Sequence, residues 1–394
     1  MSRALSRRRL VEPGGKCGSE CIVIGSSALD SGALVSPTPF FQILLVIAGG
    51  AAFGPAALCA QAVATAPWEA ADQAPAPPLF ATHDVLFLTI VADFRQLQRD
   101  RGEDRVEHPA WIFVTGPDGS SDSLAVQLRT RGHWRLQRRN CGFPPLRVNI
   151  RTSGATGTLF EDQDKLKLVV HCQDRRDRYE QYVLQEYLAY RVYNLLTPAS
   201  FRVRLAQITY VDTGRGSSRR TKWAFFVEDE DRLLARIGAA IVDEEEIEMH
   251  QDLLDYEQAT MFAMFQYLIG NVDWSVSARH NVFTVAYLGR QPIAIPHDFD
   301  WSGVVNASYA SPPPNTPIRF VTDRLFVSPC RRERDFQAVF SLLREKRQAI
   351  DDLYTSRSEL EEGQRRRVRR YYDKFYETID DARRVERVFV RGCF

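Results

Sequence analysis

Two short segments of the chain carry the residues that are best suited to chemistry. They are residues 270–281, GNVDWSVSARHN, and residues 295–301, IPHDFDW. Asp273, Asn281 and Asp298 follow in the order used in phosphoryl transfer, where one carboxylate orients the attacking hydroxyl while an Asn oxygen and a second carboxylate hold the metal. Carboxylate and amide oxygens are also the ligands that Mg²⁺ and Mn²⁺ prefer. The pattern therefore predicts metal-dependent phosphoryl transfer.

Two other interpretations fit the same residues. Asp and Asn are frequent in turns because their side chains hydrogen-bond to nearby backbone, so each of the three could simply end a strand or shape a turn. Asp298 and Asp300 could instead serve a metal-dependent phosphoesterase, although that chemistry needs a second metal and further ligands.

A candidate nucleotide-binding pair precedes these segments. Lys165 and Lys167 lie on one face of a predicted strand, and Glu186 lies on the following helix, 19 residues beyond Lys167. This spacing suits an ion pair between a strand lysine and a helix glutamate, as in protein kinases. An edge-strand lysine and an exposed helix glutamate would give the same pattern.

A dense basic cluster surrounds residue 132. It could clamp phosphate or an acidic partner. A solvated loop that offsets the acidic run at 243–246 is the alternative. The members of the cluster are Arg129, Arg131, His133, Arg135, Arg138 and Arg139.

Several of these segments together resemble one family. The run DWSVSARHN followed by PIAIPHDFDW resembles the signature of the spore-coat CotH kinases, an atypical branch of the protein-kinase-like fold. LRTRG at 128–132 looks like the RxRG strand of that family, and KWAFFVED at 222–229 looks like the strand that leads into its hinge. The resemblance covers most of residues 124–301.

The resemblance implies roles for individual residues. It makes Asp273 the catalytic-loop aspartate, Asn281 a metal ligand and Asp298 the metal-binding aspartate, with Asp300 as a candidate second ligand. It implies ATP and Mg²⁺ or Mn²⁺ as cofactors and a protein hydroxyl as acceptor.

The hydrophobic periodicity predicts the elements that position these residues. Alternating apolar residues and β-branched runs predict strands, and apolar residues at helical spacing predict helices. The predicted strands are 84–91, 111–114, 124–132, 145–150, 165–170, 203–211, 222–228, 281–287 and 292–296. The predicted helices are 183–196, 231–241, 253–269, 336–353 and 359–389.

The order of these elements predicts an α+β fold with two lobes, like that of an atypical kinase. A strand-rich N-lobe with one long helix would span 84–229, and a mostly helical C-lobe that carries the metal and catalytic loops would span 230–394. We expect Mg²⁺ and nucleotide to lie in the cleft between them.

The beginning of the chain predicts export. Arg residues are frequent up to residue 9, no charged residue occurs between Asp30 and Glu69, and the apolar run that starts at Phe40 ends in small residues typical of a cleavage site. We interpret 1–66 as an export signal, or as an uncleaved membrane anchor, and 67–83 as a linker rich in Pro and Ala. The protein is then periplasmic or attached to the cell envelope.

Four cysteines lie beyond the export segment, and in an oxidising compartment they permit two disulfides. We predict Cys141 with Cys172 and Cys330 with Cys393. A zinc site is the alternative, although none of the four has close CxxC spacing.

The composition limits the classes of partner. The 394 residues include 51 Lys and Arg against 50 Asp and Glu, and 44% are hydrophobic, so the chain is globular. A net charge of +1 argues against a nucleic-acid partner. We expect a protein substrate or an envelope protein partner. Because an exported protein meets little ATP, a catalytically inactive binding module of the same fold is the alternative function.

Overall fold

The computed structural model describes residues 76–115, 121–242, 248–314 and 316–394. Buried and exposed side chains alternate along many of its strands. Short runs of β-branched and aromatic residues form them, as expected from strand propensity. The strands are β1 Leu86–Ala92, β2 His108–Thr115, β3 Ser121–Thr130, β4 Leu146–Ile150, β5 Lys165–Val170, β6 Val203–Asp212, β7 Ser218–Val227, β8 Ala240–Ile241, β9 Val282–Ala286 and β10 Ile293–Pro296.

The first seven strands close into a barrel in the order β1-β2-β3-β4-β5-β7-β6. Neighbouring strands are antiparallel except at the closure, where β6 pairs in parallel with β1 from Leu86↔Ala206 to Ala92↔Asp212. Closure leaves neither edge of the sheet unpaired. Inside, the inward-facing residues form an apolar core, in which Ile90, Ile112 and Leu168 are fully buried.

Of the described helices, three lie between strands of the barrel in the chain, and the other five follow the last barrel strand. The longest ones carry apolar residues at helical spacing, which they bury against their neighbours. They are α1 Phe94–Leu97, α2 Thr152–Ala155, α3 Arg178–Leu196, α4 Glu230–Ile237, α5 Tyr256–Ile269, α6 Gln337–Thr355, α7 Glu362–Ile379 and α8 Ala382–Val385. A π-helical turn, Glu386–Val390, follows α8.

Helix α3 joins the barrel to the helical region. It packs on the outer face of β5, β6 and β7 and also against α6, so most of its residues are buried. A single apolar core continues from Val169 and Phe225 on the barrel, through Tyr187 of α3, to Phe265 of α5 and Phe375 of α7.

The predicted two-lobed, kinase-like fold is therefore wrong. The strands form a closed seven-stranded mixed barrel rather than an open N-lobe sheet, because β6 pairs with β1 as well as with β7. The strand-rich and helical parts also do not form two separate lobes, since one continuous core runs from the barrel through α3 to the later helices.

A small second sheet carries the loops of interest. Its order is β10-β9-β8, with β9 and β10 paired from Ile293↔Val285 to Pro296↔Val282. The loop 271–281 lies between α5 and β9, and residues 297–300 follow β10 directly. Gly270 ends α5 in the left-handed region at φ 64°, where a Cβ atom would collide with the hydroxyl of Tyr371.

Both predicted disulfides are confirmed. Cys141 is bonded to Cys172 and Cys330 to Cys393. Such bonds persist in oxidising compartments, so the covalent structure indicates an exported protein.

The predicted export segment, 1–66, lies outside the described residues, as does most of the predicted linker. The described end of the linker belongs to the fold, because Leu79 and Phe80 are buried in the barrel core and Arg204 donates to the Thr82 carbonyl over 2.8 Å. Within the described residues, no helix combines the length and the apolar character needed to span a membrane.

Candidate active site

The loop between α5 and β9 holds Asp273 and Asn281 together. The Asn281 side-chain amide donates to the Asp273 backbone carbonyl over 2.7 Å and to its carboxylate over 3.1 Å. His280 Nε2 lies 3.1 Å from the other carboxylate oxygen of Asp273. The backbones of Ser275 and His280 exchange two 2.9 Å hydrogen bonds, which narrow the loop and bring residues 273 and 281 to the same place.

Asp298 reaches the same place from the end of β10. The backbone N–H of His297 donates to the Asn281 carbonyl over 3.0 Å, which joins the two segments. The backbone N–H of Asp298 donates to the Tyr190 hydroxyl of α3 over 2.8 Å. Asn281 and Asp298 both adopt positive φ angles, 54° and 61°. Backbone strain of this kind concentrates at functional sites.

Asp300 lies deeper than Asp298. It is buried, accepts a hydrogen bond from the Tyr309 hydroxyl over 3.0 Å, and lies 3.9 Å from a terminal guanidinium nitrogen of Arg135. Arg135 also donates to the backbone carbonyl of Val170 at the end of β5. Asp300 is therefore anchored within the protein, which makes a supporting role more suitable for it than direct contact with a ligand.

Glu186 contributes, from α3, a second buried carboxylate beside Asp300. One of its carboxylate oxygens, Oε1, is buried without a hydrogen-bond partner. Burial raises the pKa of Glu186 well above its usual range, and the charges of Asp300 and Asp298 raise it further, while Arg135 and Arg131 oppose the shift. An orphaned, buried carboxylate oxygen is costly, so a cation or a proton at this point would stabilise the site.

Electrostatic coupling links the other acidic groups as well. Burial raises the pKa of Asp300 to about 7, assisted by the charge of Asp298. Burial also raises the pKa of Asp273, against the opposing effect of His280. A raised pKa makes a carboxylate a better proton acceptor at neutral pH, which suits Asp273 to the role of general base.

Two arginines from the loop after β3 balance these carboxylates. Arg131 and Arg135 are both half-buried, and the charge of Asp298 acts on each of them. The Cys141–Cys172 disulfide fixes the end of this loop, and Arg101 donates to the backbone carbonyl of Cys141 over 2.7 Å. The disulfide thus helps to position the two arginines.

The two candidate lysines of β5 differ in their surroundings. Lys167 is largely buried and lines a cavity together with Glu186 and Asp298, whereas Lys165 is more exposed. Each is paired with an acidic residue other than Glu186: Lys167 forms a 2.6 Å ion pair with Glu230, and Lys165 forms a 3.1 Å ion pair with Asp231. Of the two, Lys167 is the one placed to reach a ligand at the site.

The cavity that these groups share is small. Its volume is about 50 Å³, and Arg131, Tyr190 and His297 complete its polar lining. Ligand pockets for whole cofactors are usually about 300–1,000 Å³. The cavity can therefore hold an ion or a phosphate-sized group, and a nucleoside would have to lie outside it.

Sequence reasoning identified Asp273, Asn281 and Asp298 and expected the two segments to act together. It missed the support from Tyr190, Tyr309 and Glu230. Tyr190 belongs to the apolar pattern of α3 and Tyr309 lies in a loop, so their hydroxyl contacts have no signal in the sequence. Arg131 and Arg135 are members of the predicted basic cluster, but alternation alone does not distinguish these two half-buried arginines from solvated neighbours.

Comparison with known protein families finds none that matches this chain, and no curated protein matches it significantly. The resemblance to the CotH kinases stays a prediction from the sequence motifs at 128–132, 222–229, 273–281 and 292–301.

Proposed function

We propose that this protein transfers the γ-phosphoryl group of ATP to a hydroxyl of a protein, with Mg²⁺ or Mn²⁺ as cofactor. The observation that carries the proposal is the hydrogen bonding of Asn281, whose side chain holds Asp273 and whose carbonyl accepts from His297, next to Asp298. We assign Asp273 as the general base and the side-chain oxygens of Asn281 and Asp298 as the metal ligands, a set that phosphoryl transfer requires.

The donor set fits a magnesium–nucleotide site. Within the described residues, no group of three or more His, Cys, Asp or Glu side chains is arranged to hold a metal alone. Magnesium is commonly held by one or two carboxylates together with substrate phosphates, so Asp298 and the Asn281 side-chain oxygen are a sufficient protein contribution. The unpartnered Glu186 oxygen supports a need for positive charge nearby. A bound metal would neutralise the charge on the phosphates.

Residues of the chain itself would accept the proton and hold the phosphate groups. The acceptor hydroxyl oxygen forms the new bond to the γ-phosphorus, the bond from that phosphorus to the β–γ bridging oxygen breaks, and ADP leaves. The hydroxyl proton passes to the Asp273 carboxylate, which His280 and Asn281 orient through hydrogen bonds. Arg131 and Lys167, at the 50 Å³ cavity, would hold phosphate oxygens.

A second function is favoured by two observations. The disulfides indicate that the protein is exported to a compartment in which ATP is scarce. The cavity at Asp298 is also too small for a whole nucleotide. We therefore retain a catalytically inactive module, associated with the cell envelope and binding a protein partner, as the alternative. In the same way, a periplasmic or membrane-anchored location remains part of the proposal.

Transfer of phosphate from γ-labelled ATP tests the proposal. The full-length wild-type chain should label protein acceptors from the envelope of its host when Mg²⁺ or Mn²⁺ is present, and Asp273→Asn should not. The exposed Asp352→Asn is the matched control and should label them as the wild type does. Equal labelling by wild type and Asp273→Asn would contradict the proposed base, and no labelling with either metal would favour the binding module.

A further inference from the structure

A cavity of about 480 Å³ lies beside the loop that carries Asp273. Its apolar lining comes from Trp274 and Val276 of that loop and from Val327, Pro329 and Phe394 of two later segments. Trp274 packs edge-on against the Phe262 ring, with 4.8 Å between ring centroids, so this part of the lining is supported by the core. The cavity is separate from the small cavity at Asp298, with which it shares no lining residue.

The cavity is connected to the candidate base through the loop backbone. Ser275 lines the cavity, and its backbone exchanges two 2.9 Å hydrogen bonds with His280. His280 in turn contacts the Asp273 carboxylate over 3.1 Å. A group bound in the cavity would thus lie against the same short hairpin that presents Asp273, which is where an acceptor segment must pass in order to deliver its hydroxyl.

The chemistry of the walls selects the kind of group. Half of the lining residues are apolar, Trp274, Val276, Val327, Pro329 and Phe394, and the polar half consists of His250, Gln251, Asp252, Ser275 and Ser277. A pocket of this size with aromatic and aliphatic residues in its lining can bury an apolar side chain, while its polar groups fix the orientation of the bound segment. An extended peptide that docks beside a site commonly derives its specificity from one such pocket for a side chain.

We propose that this cavity binds a bulky apolar side chain of the acceptor protein, a few residues from the hydroxyl that is phosphorylated. The inference rests on the proposed phosphoryl transfer and adds to it the sequence preference of the acceptor. Filling an apolar pocket with the correct side chain discriminates between substrates by about 10- to 200-fold. The cavity therefore makes the protein selective for acceptors with an aliphatic or aromatic residue at one fixed position.

The second disulfide belongs to this pocket. The bond between Cys330 and Cys393 joins the two segments that provide Pro329 and Phe394, and the Phe394 N–H donates to the Ser328 carbonyl over 3.3 Å. Reduction would release Phe394 from Pro329 and so loosen this part of the pocket lining. The acceptor preference should therefore weaken under reducing conditions that leave the buried Cys141–Cys172 bond intact.

A positional-scanning library of Ser-, Thr- and Tyr-containing peptides, with γ-labelled ATP and Mg²⁺ or Mn²⁺, tests the inference on the full chain. Wild type should prefer Leu, Ile, Phe or Trp at one position by at least about tenfold over Asp there. Ser277→Trp places a large side chain at the exposed rim of the cavity and should abolish this preference, while the exposed Ser356→Trp, the matched control, should retain it.

Thermal unfolding with ATP and metal separates the two possible failures. ATP should raise the unfolding midpoint of wild type and of Ser277→Trp equally, because the substitution lies outside the cavity at Asp298. Transfer with a flat positional profile, or a preference that survives in Ser277→Trp, would overturn the acceptor pocket alone. The absence of both transfer and ATP stabilisation would overturn the proposed function, and the pocket's role with it.

Discussion

The side-chain amide of Asn281 donates to Asp273 twice, over 2.7 Å to its backbone carbonyl and over 3.1 Å to its carboxylate. Because the Asn281 carbonyl also accepts from His297, this one residue holds the candidate base beside the segment that carries Asp298. The amide nitrogen is occupied, so the side-chain oxygen is the atom of Asn281 left for a cation.

Replacing Asp273 by Asn should remove proton acceptance and leave ATP binding in place. We expect kcat to fall by about 10²- to 10⁴-fold, as for the loss of a general base. The concentration of ATP that half-saturates stabilisation should stay within a factor of two or so, because the removed charge lies on the acceptor side of the site. Steady-state kinetics and thermal unfolding measure the two quantities. A large loss of ATP affinity with unchanged kcat would assign Asp273 to binding instead.

The two lysines of β5 provide an internal comparison. Lys167→Met should weaken ATP binding, whereas Lys165→Met should not, because only Lys167 lines the cavity with Glu186 and Asp298. Glu230→Gln should strengthen ATP binding, since it releases Lys167 from its 2.6 Å ion pair. Isothermal titration calorimetry with ATP and Mg²⁺ measures all three variants. Equal losses of ATP affinity in Lys165→Met and Lys167→Met would show that Lys167 does not bind ATP at this site.

The sequence predicts contacts of this site between residues that are close along the chain, and it does not predict contacts between distant segments. Asp273, Asn281 and Asp298 lie in two short segments, and the apolar strands between them made a close approach predictable. Tyr190 joins the site from a helix far away in the chain, and its hydrogen bond to the Asp298 N–H depends on how α3 docks on the barrel.

The fold shows the same limit. Periodicity predicted most strands and long helices to within a few residues, because alternation and helical spacing are local properties. It did not separate β8 from the helix before it, and it predicted one helix over 359–389 where α7 ends at Ile379. The parallel pairing of β1 with β6 joins residues more than a hundred positions apart, and neither strand's pattern specifies its partner. That closure is why the two-lobed prediction failed.

The two disulfides should differ in how easily they are reduced. Cys141 and Cys172 are buried, whereas Cys330 is exposed, so the Cys330–Cys393 bond should react first with dithiothreitol. Replacing Cys141 and Cys172 together by Ala should lower the free energy of unfolding by about 2–4 kcal/mol. Mass spectrometry after partial reduction and alkylation gives the order of reduction, and denaturant unfolding gives the stability. If the Cys141–Cys172 bond were reduced first, the burial of these two cysteines would be contradicted.

The stability should depend on pH through His171, which is buried between barrel residues. Its ring stacks on Phe143, with centroids 4.9 Å apart, and its Nε2 lies 2.6 Å from Asp174. Burial lowers the pKa of His171 below its ordinary value, Arg220 lowers it too, and Asp174 and Glu180 raise it without overcoming the burial. The folded protein therefore binds this proton only at a lower pH than the unfolded chain does.

Below about pH 6.5 the unfolded chain holds more protons at this position, so the free energy of unfolding should fall as the pH decreases, by at most about 1.4 kcal/mol per pH unit. His171→Phe keeps the aromatic packing and removes the titration, so its stability should fall less steeply between pH 7 and pH 5.5. Urea unfolding at several pH values measures the difference. Identical slopes for the two proteins would show that His171 does not titrate between the folded and unfolded states.

The most direct test of the central claim is the thermal unfolding midpoint of the full chain with ATP and Mg²⁺ or Mn²⁺. A ligand that binds only the folded state stabilises it by about 2.7 kcal/mol at a hundred times its Kd. We predict that ATP with metal raises the midpoint of the wild type and of the exposed control Asp352→Asn, and leaves that of Asp298→Asn unchanged. If millimolar ATP moves none of the three midpoints with either metal, the site does not bind nucleotide and the proposed phosphoryl transfer is contradicted.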